Sequence, residues 1–274
     1  MPNWIELEGL VNLRDVGGMP TTDGGSIAAG RLLRSDNLQD LTPADIAELR
    51  RRGLTDVVDL RSDVESMSEG PGPITREDGV TVHHHSLFTD TGRADSDGVD
   101  PNGADTAASS VDTATAPAAA LPWVGRKPSA VHDIPDTSYY LSYLVDRPDS
   151  VLAALRVIAD ADGATLVHCA AGKDRTGTVV ALALLVAGAD PTAVIADYAA
   201  SSERIERVVQ RLMATRTYAD NLRNRPLDSH RSRPETMQGV IEHLDTEHGG
   251  VEKLLATIGW TPADTVRLRA KLRA

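Results

Sequence analysis

Apolar and polar residues follow one another in blocks that predict short buried strands separated by helices. "RLLRS" (31–35) is a short apolar run, and "ATLVHC" (164–169) predicts a short central strand. "TDVVDLRS" (55–62) contains the nearly continuous apolar run Val57, Val58 and Leu60, which is typical of a buried strand of a parallel sheet. "GVTVHHHSLF" (79–88) alternates apolar and polar positions and predicts a further strand. The glycine pair that ends "LVNLRDVGG" (10–18) indicates where an earlier strand stops.

Helices are predicted between and after these strands. In "LTPADIAELRRRGL", Thr42 can cap a helix that begins at Pro43, Asp45 completes a capping box, and Gly53 ends the helix. Apolar faces and helix starts predict four later helices, over 139–163, 175–189, 191–214 and 261–272. This alternation predicts an α/β fold with a mostly parallel central sheet flanked by helices.

Residues 91–135 differ in character from the rest of the chain. They are rich in Ala, Asp, Ser, Thr, Gly and Pro, and only the "LPWVG" stretch around Trp123 could anchor them. Such a segment buries too little apolar surface to offset the entropy of ordering it. We therefore expect a single domain over 1–274, within which 91–135 is a mobile insertion or an ordered lid.

Charge and composition narrow the classes of partner. The formal net charge of −12 argues against nucleic acid, which requires a basic surface. No apolar run is long enough for a membrane helix, and the N-terminus lacks the pattern of a signal peptide. The sequence predicts a cytoplasmic protein, or one exported without a cleavable signal, and leaves its oligomeric state open. The single cysteine, Cys169, excludes an internal disulfide.

That cysteine lies in "HCAAGKDRTG" (168–177), between a predicted buried strand and a predicted buried helix. Ligands of α/β folds bind at such strand ends. A short loop before a helix can turn its backbone N–H groups inward to form an anion-binding nest. We assign this phosphate-binding role to Ala170, Ala171, Gly172, Lys173 and Thr176.

The residue types in this loop predict cleavage of a phosphate monoester. Among inward N–H groups and the cations Lys173 and Arg175, Cys169 should be a thiolate and attack phosphorus. The planar fork of Arg175 matches two phosphate oxygens. Thr176 can donate its hydroxyl to the departing thiolate in the second step.

The leaving group needs a proton, and the residues leave its donor open. Asp174 within the loop and Asp90 in "LFTD" are the two main candidates for the general acid, and Asp59 and Asp63 are weaker ones. His168 is expected to orient the loop through a hydrogen bond. The three histidines at 83–85 have no accompanying carboxylate or cysteine cluster, so neither a metal nor another cofactor is predicted.

The loop resembles the signature of cysteine-dependent protein tyrosine phosphatases, in particular the bacterial tyrosine and dual-specificity group. "NLRDVGG", "GRLLRSDNL", "LFTD" and "VIADYAASSE" occur in the order and spacing of that family, so the resemblance covers most of the chain outside 91–135. It implies a metal-independent phosphatase in which Cys169 is the nucleophile, Arg175 the phosphate clamp and Asp174 the acid, with Asp90 near the pocket. Lys173 resembles the loop lysine of tensin-type phosphoinositide phosphatases, so phosphoserine, phosphothreonine and phosphoinositides are additional expected substrates.

Two other functions remain compatible with the residues. One is a catalytically silent domain of the same fold that binds phosphorylated proteins, and the other is a sulfurtransferase, which also uses one loop cysteine. The presence of a nucleophile, an arginine and candidate acids argues against the silent domain, and the Arg-Thr-Gly ending suits cleavage of a phosphate dianion better than sulfur transfer.

Overall fold

The computed structural model describes residues 2–70, 72–89, 135–223 and 225–274. Within them, six strands form one sheet in the order β1-β2-β3-β6-β4-β5. The strands are β1 (Asn3–Trp4), β2 (Arg14–Asp15), β3 (Leu32–Ser35), β4 (Leu54–Asp59), β5 (Thr81–His84) and β6 (Ala164–His168). From β3 to β5 all neighbours are parallel, whereas β1 and β2 add an antiparallel edge. The predicted fold class is confirmed.

The α-helices of the described residues surround this sheet. They are α1 (Pro43–Arg51), α2 (Asp63–Glu69), α3 (Pro135–Asp146), α4 (Pro148–Asp160), α5 (Asp174–Val186), α6 (Pro191–Ala200), α7 (Ile205–Met213), α8 (Arg216–Leu222), α9 (Pro234–His248), α10 (Val251–Thr257) and α11 (Pro262–Leu272). A 3₁₀ turn over Leu227–His230 lies between α8 and α9.

The capping signals mark helix starts as expected. Thr42 accepts a hydrogen bond from the Asp45 backbone, and the Asp45 side chain accepts one from the Thr42 backbone, so that both unpaired donors are satisfied. Asp45 also accepts from the backbone N–H groups of Glu8 and Gly9 at 3.0 and 2.8 Å. One carboxylate thus starts α1 and ties the N-terminal segment to it.

The single helix predicted over 139–163 is wrong, because the structure has two helices there. α3 ends at Asp146 and α4 begins at Pro148. Proline has no N–H to continue the hydrogen-bond ladder, and its ring clashes with the preceding turn, so the chain turns at Arg147 and a new helix starts. This break places the aromatic side chains of α3 independently of α4.

Successive residues of each central strand belong alternately to two separate apolar clusters, one on each face of the sheet. Leu32, Val58 and Val167 belong to the larger cluster, with α4, α5 and α11. Their neighbours Leu33, Val57 and Leu166 belong to the smaller one, with α1. Successive strand residues point to opposite faces, so a sheet covered on both sides requires the continuous apolar runs of the sequence.

Asp90 and residues 91–134 lie outside the described residues, and Pro135 begins α3. The expectations of an insertion at 91–135 and of a single domain over 1–274 therefore stay predictions. Among the helices of the described ranges, none has the length and apolarity needed to cross a lipid bilayer.

Candidate active site

The loop that contains Cys169 joins the carboxyl end of β6 to the first turn of α5. It lines a cavity of about 290 Å³ into which Cys169, Lys173, Asp174 and Arg175 all face. Gly172 has a φ of 68°, and a Cβ at this position would collide with the backbone of Ser35. Only glycine combines that dihedral with so close an approach to β3.

The carbonyl groups of the loop are held away from the cavity. The Asn12 side chain donates to the carbonyls of Ala171 and Gly172 at 3.0 and 3.3 Å. Arg34 Nη2 donates to the Gly172 carbonyl at 2.9 Å, and a backbone N–H donates to the carbonyl of Ala170 at 3.0 Å. The N–H and C=O of a peptide group point in opposite directions, so these bonds turn the following N–H groups toward the cavity.

A buried ion cluster fixes the groups that hold the loop. Asp197 on α6 accepts from Arg14 at 2.8 Å and from Arg34 at 2.6 Å. Burial raises the pKa of Asp197, but the two arginines outweigh that effect and lower it. Arg14 also donates to the Asn12 side chain at 2.7 Å. None of these residues was assigned to the site from the sequence, because they lie far from the loop along the chain.

Arg175 is oriented by a carboxylate that the sequence analysis did not assign to the site. Its Nη1 and Nη2 lie 2.6 and 2.9 Å from the two oxygens of Glu65, and its guanidinium carbon lies 5.0 Å from the centre of the Phe88 ring. Burial alone would lower the pKa of Arg175, but Glu65 and Cys169 raise it well above its ordinary value. The Arg175 guanidinium is therefore a permanent cation in a fixed orientation.

Glu65 is itself fully buried and holds several donors at once. It completes the capping box of α2 by accepting from the Ser62 backbone at 2.8 Å, and it accepts from the Tyr218 hydroxyl on α8 at 3.0 Å. The spacing Ser-x-x-Glu could have indicated the helix start. Nothing local in the sequence indicates that Glu65 also binds Arg175.

Asp174 lies in a hydrogen-bonded group at the wall of the cavity. Its Oδ1 accepts from Lys173 Nζ at 2.5 Å and from the Tyr140 hydroxyl, which lies 2.8 Å from the hydroxyl of Tyr198. Burial raises the pKa of Asp174, but Lys173 and the bond from Tyr140 lower it overall. Burial and Asp174 raise the pKa of Tyr140 well above 10, so Tyr140 stays a donor.

The sequence comparisons agree with this geometry. The profile of the tyrosine phosphatase family matches residues 5–274. The chain belongs to the tyrosine phosphatase family. The protein is accordingly a protein tyrosine phosphatase, a hydrolase of phosphate monoesters.

Three curated phosphatases are similar to this one. It is 35% identical over 212 residues to the triple specificity protein phosphatase PtpB of Mycobacterium tuberculosis, covering 76% of this chain and 72% of that protein. It is 25% identical to a tyrosine-protein phosphatase of Nostoc commune, covering 92% of this chain and 78% of the relative. A putative tyrosine-protein phosphatase of Cupriavidus necator is 26% identical, covering 77% of this chain and 67% of the relative.

Beneath the loop of the phosphatase, His168 is buried against charged groups. Its Nδ1 lies 3.3 Å from the Cys169 carbonyl, and its Nε2 lies 3.7 Å from Asp59, which accepts from Arg61 at 2.6 Å. Burial lowers the pKa of His168 to about 4, although Asp59 opposes the shift. At neutral pH the ring is uncharged and contacts the loop backbone.

The other candidates from the sequence are placed as follows. Thr176 is fully buried, and its hydroxyl makes no hydrogen bond to a described residue. Asp59 and Asp63 do not line the cavity, and Asp63 lies 3.4 Å from His84 instead. Asp90 lies outside the described residues, as stated above. Across the described ranges, no group of three possible ligands could hold a metal ion.

The walls of the cavity are mainly aromatic and aliphatic. Tyr139, Tyr140 and Tyr143 of α3 line one part, and Val208 and Leu212 of α7 line another. The apolar wall of α7 and α8 was not predicted from the sequence. The single helix predicted over 191–214 is wrong, because α6 ends at Ala200, a 3₁₀ turn covers Ser201–Arg204, and α7 begins at Ile205.

Proposed function

We propose that this phosphatase hydrolyses phosphotyrosine in proteins through a phosphocysteine intermediate on Cys169. The observation that carries the proposal is the position of Cys169 beside a loop whose Ala170, Ala171 and Gly172 carbonyls are bonded to groups outside the cavity. Cys169 and Arg175 line the same cavity, and the outward bonding of these carbonyls supports loop N–H groups that face it.

The first step forms an S–P bond and breaks the P–O bond of the ester. The thiolate of Cys169 donates the electron pair, and the leaving oxygen takes a proton from Asp174. Arg175 and the loop N–H groups bind the equatorial oxygens, on which negative charge is spread in the transition state. In the second step a water molecule gives its proton to Asp174 and its oxygen to phosphorus. The thiolate then leaves, with the buried hydroxyl of Thr176 available to donate to it.

The hydrogen bonds of Asp174 support one placement of its proton. Lys173 and Tyr140 both bind Oδ1, which leaves Oδ2 as the oxygen that carries the proton toward the leaving group. In the free enzyme Lys173 keeps the carboxyl ionised. A bound phosphate dianion competes for Lys173 and adds negative charge beside Asp174, and both effects favour protonation of the carboxyl.

The shape and charge of the cavity support aryl phosphates as the preferred substrates. The side chains of α3 and α7 form an apolar wall that suits a phenyl ring, and a cation lies on the loop at Lys173. The relative from Mycobacterium tuberculosis is named a triple specificity phosphatase. We extend the proposal to phosphoserine, phosphothreonine and phosphoinositides as secondary substrates, for which Lys173 supplies additional positive charge.

The central test is phosphate release by purified wild-type and Cys169→Ser protein from peptides that carry phosphotyrosine, phosphoserine or phosphothreonine and from soluble phosphoinositides. We expect wild-type turnover to be fastest on phosphotyrosine, and we expect Cys169→Ser to lose turnover on every substrate. Hydrolysis of an aryl phosphate by Cys169→Ser at the wild-type rate would refute the mechanism. Stoichiometric binding of phosphopeptide by the wild type without phosphate release would instead indicate a silent binding domain.

The identity of the acid is tested separately with Asp174→Asn. Loss of the acid should slow esters with poor leaving groups far more than activated aryl esters, because only a poor leaving group needs the proton. Asp90→Asn is the matched comparison. If Asp90→Asn shows the steep dependence on leaving group and Asp174→Asn does not, the assignment moves to Asp90.

A further inference from the structure

Two arginines and a histidine from the segment between α8 and α9 line the cavity of the catalytic loop. Arg225, His230 and Arg231 line the same cavity of about 290 Å³ as Cys169 and Lys173. The chain as a whole carries a formal charge of −12. Cations gathered at the cavity therefore contrast with the average charge of the protein.

Two of these three cavity residues have donor capacity that the described protein does not use. The His230 Nε2 atom is buried and has no hydrogen-bond partner, and the Arg225 guanidinium makes no ion pair with a described residue. By contrast, Arg231 lies 3.1 Å from Asp228, and Arg223, two residues before Arg225, lies 3.3 Å from Asp220. Buried polar atoms are normally paired, so the unpaired His230 Nε2 at the cavity wall is available to a ligand, and the exposed Arg225 adds a positive charge beside it.

His230 lines one cavity with Lys173, Asp174 and Arg225, and all three affect its pKa. Burial lowers the pKa of His230, Lys173 and Arg225 lower it further, and Asp174 opposes them. An anion seated near His230 and Arg225 would thus share the cavity with a phosphate seated at the catalytic loop.

We propose that Arg225 and His230 form a second anion subsite, which binds an acidic group carried by the peptide next to its phosphotyrosine. The inference rests on the proposed function, because the phosphotyrosine must occupy the loop for its neighbour to reach this subsite. A peptide is favoured over a highly charged headgroup, since apolar side chains such as Val209 and Leu222 line the cavity and Asp136 also faces it. Each of these features suits a ring and a backbone that carry one flanking charge.

The test measures binding without turnover, so that it does not depend on the catalytic mechanism. Two phosphotyrosine peptides that differ only in a flanking glutamate or glutamine are titrated into Cys169→Ser protein by calorimetry. We expect the glutamate peptide to bind about two- to fivefold more tightly, a ratio typical of one partly exposed ion pair. The ratio should approach one in high salt.

Arg225→Ala should abolish this preference, and Arg223→Ala is the matched control, since Arg223 does not line the cavity. His230→Gln gives a second, independent variant that should reduce the ratio. An unchanged ratio in Arg225→Ala, or no preference in the protein with Arg225, overturns the proposal. Weaker binding of a soluble inositol bisphosphate by Arg225→Ala, with the peptide ratio unchanged, would overturn it in favour of a headgroup site. Absence of turnover by wild-type protein would refute only the proposed function.

Discussion

The carboxyl edge of the sheet and its two faces are both buried, but they are built from different side chains. Aliphatic residues such as Leu155 on α4 and Leu166 on β6 cover the faces. At the edge, beneath the catalytic loop, lie buried arginines and carboxylates that include Arg34, Glu65 and Arg175. Burial of apolar surface on the two faces lowers the free energy of the folded state. Burial of a charge at the edge instead costs the free energy of its hydration.

The apolar residues of the faces therefore stabilise the fold, whereas the charged residues of the edge position the loop. An ion pair such as Arg175 with Glu65 contributes little net stability once desolvation is subtracted, but its two hydrogen bonds fix the orientation of the guanidinium. Substitutions at the edge should therefore reduce activity more than stability. Substitutions in the faces should do the reverse.

The largest expected effect is on the edge, at the phosphate clamp. Arg175→Lys keeps the charge but loses the planar fork, so kcat/KM for an aryl phosphate should fall by about 10²- to 10³-fold. Arg156→Lys is the matched control, because Arg156 makes a two-point contact with Asp264 away from the cavity. An equal fall in kcat/KM in the two variants would show that the arginine at the edge of the sheet is no more important for activity than an arginine elsewhere.

The next effect is on a face of the sheet. Leu155 is fully buried in the larger cluster, so Leu155→Ala should lower the free energy of unfolding by about 3 kcal/mol through lost burial and a cavity. Urea unfolding measures the change. kcat/KM of the folded fraction should stay within about twofold, since the loop contacts are untouched. A fall in kcat/KM as large as that of Arg175→Lys would show that residues of the faces and of the edge do not differ in their effect on activity.

A smaller effect is expected where the edge acts through a second residue. Glu65→Gln removes the charge that orients Arg175, and a misplaced clamp should reduce kcat/KM by about 10- to 100-fold. If Glu65 only positions Arg175, the affinity for inorganic phosphate and kcat should both fall while the leaving-group dependence stays as in the wild type. A change in leaving-group dependence would indicate a direct role in proton transfer.

The smallest effect concerns the uncharged histidine beneath the loop. The pKa of His168 falls from 6.5 to about 4 on folding, so between these values the folded chain binds fewer protons than the unfolded chain. The free energy of unfolding should therefore fall as the pH is lowered, by about 2 kcal/mol between pH 7 and pH 5. Urea titrations of wild type and His168→Asn at several pH values test this. If the free energy of unfolding depends on pH equally in both proteins, groups other than His168 cause the dependence.

Much of the fold was predictable because its signals are local. The capping box at Thr42 and the continuous apolar runs of β4 and β6 depend on neighbouring residues, and the structure has the corresponding helix and strands. The helix predicted across Arg147 was wrong, although Pro148 carried the signal for the break. The role of residues 91–135 stays a prediction.

The candidate site was only partly predictable. The proposed nucleophile, phosphate clamp and acid lie within seven residues of one another, and one strand-loop-helix unit brings them together. The residues that hold this unit come from elsewhere. Glu65 lies 110 positions before Arg175, and Asn12 lies 160 positions before Gly172. A single sequence contains no short-range pattern that pairs them.

The sequence by itself indicated the phosphatase family and the alternation of strands and helices, because residue type and near spacing decide both. Only the tertiary structure decided which buried carboxylate orients Arg175, which groups turn the loop carbonyls outward, and which cations share the cavity with Cys169. These pairings depend on how the sheet brings distant segments together at one edge. There a buried charge must find a partner, and packing of the whole chain selects it.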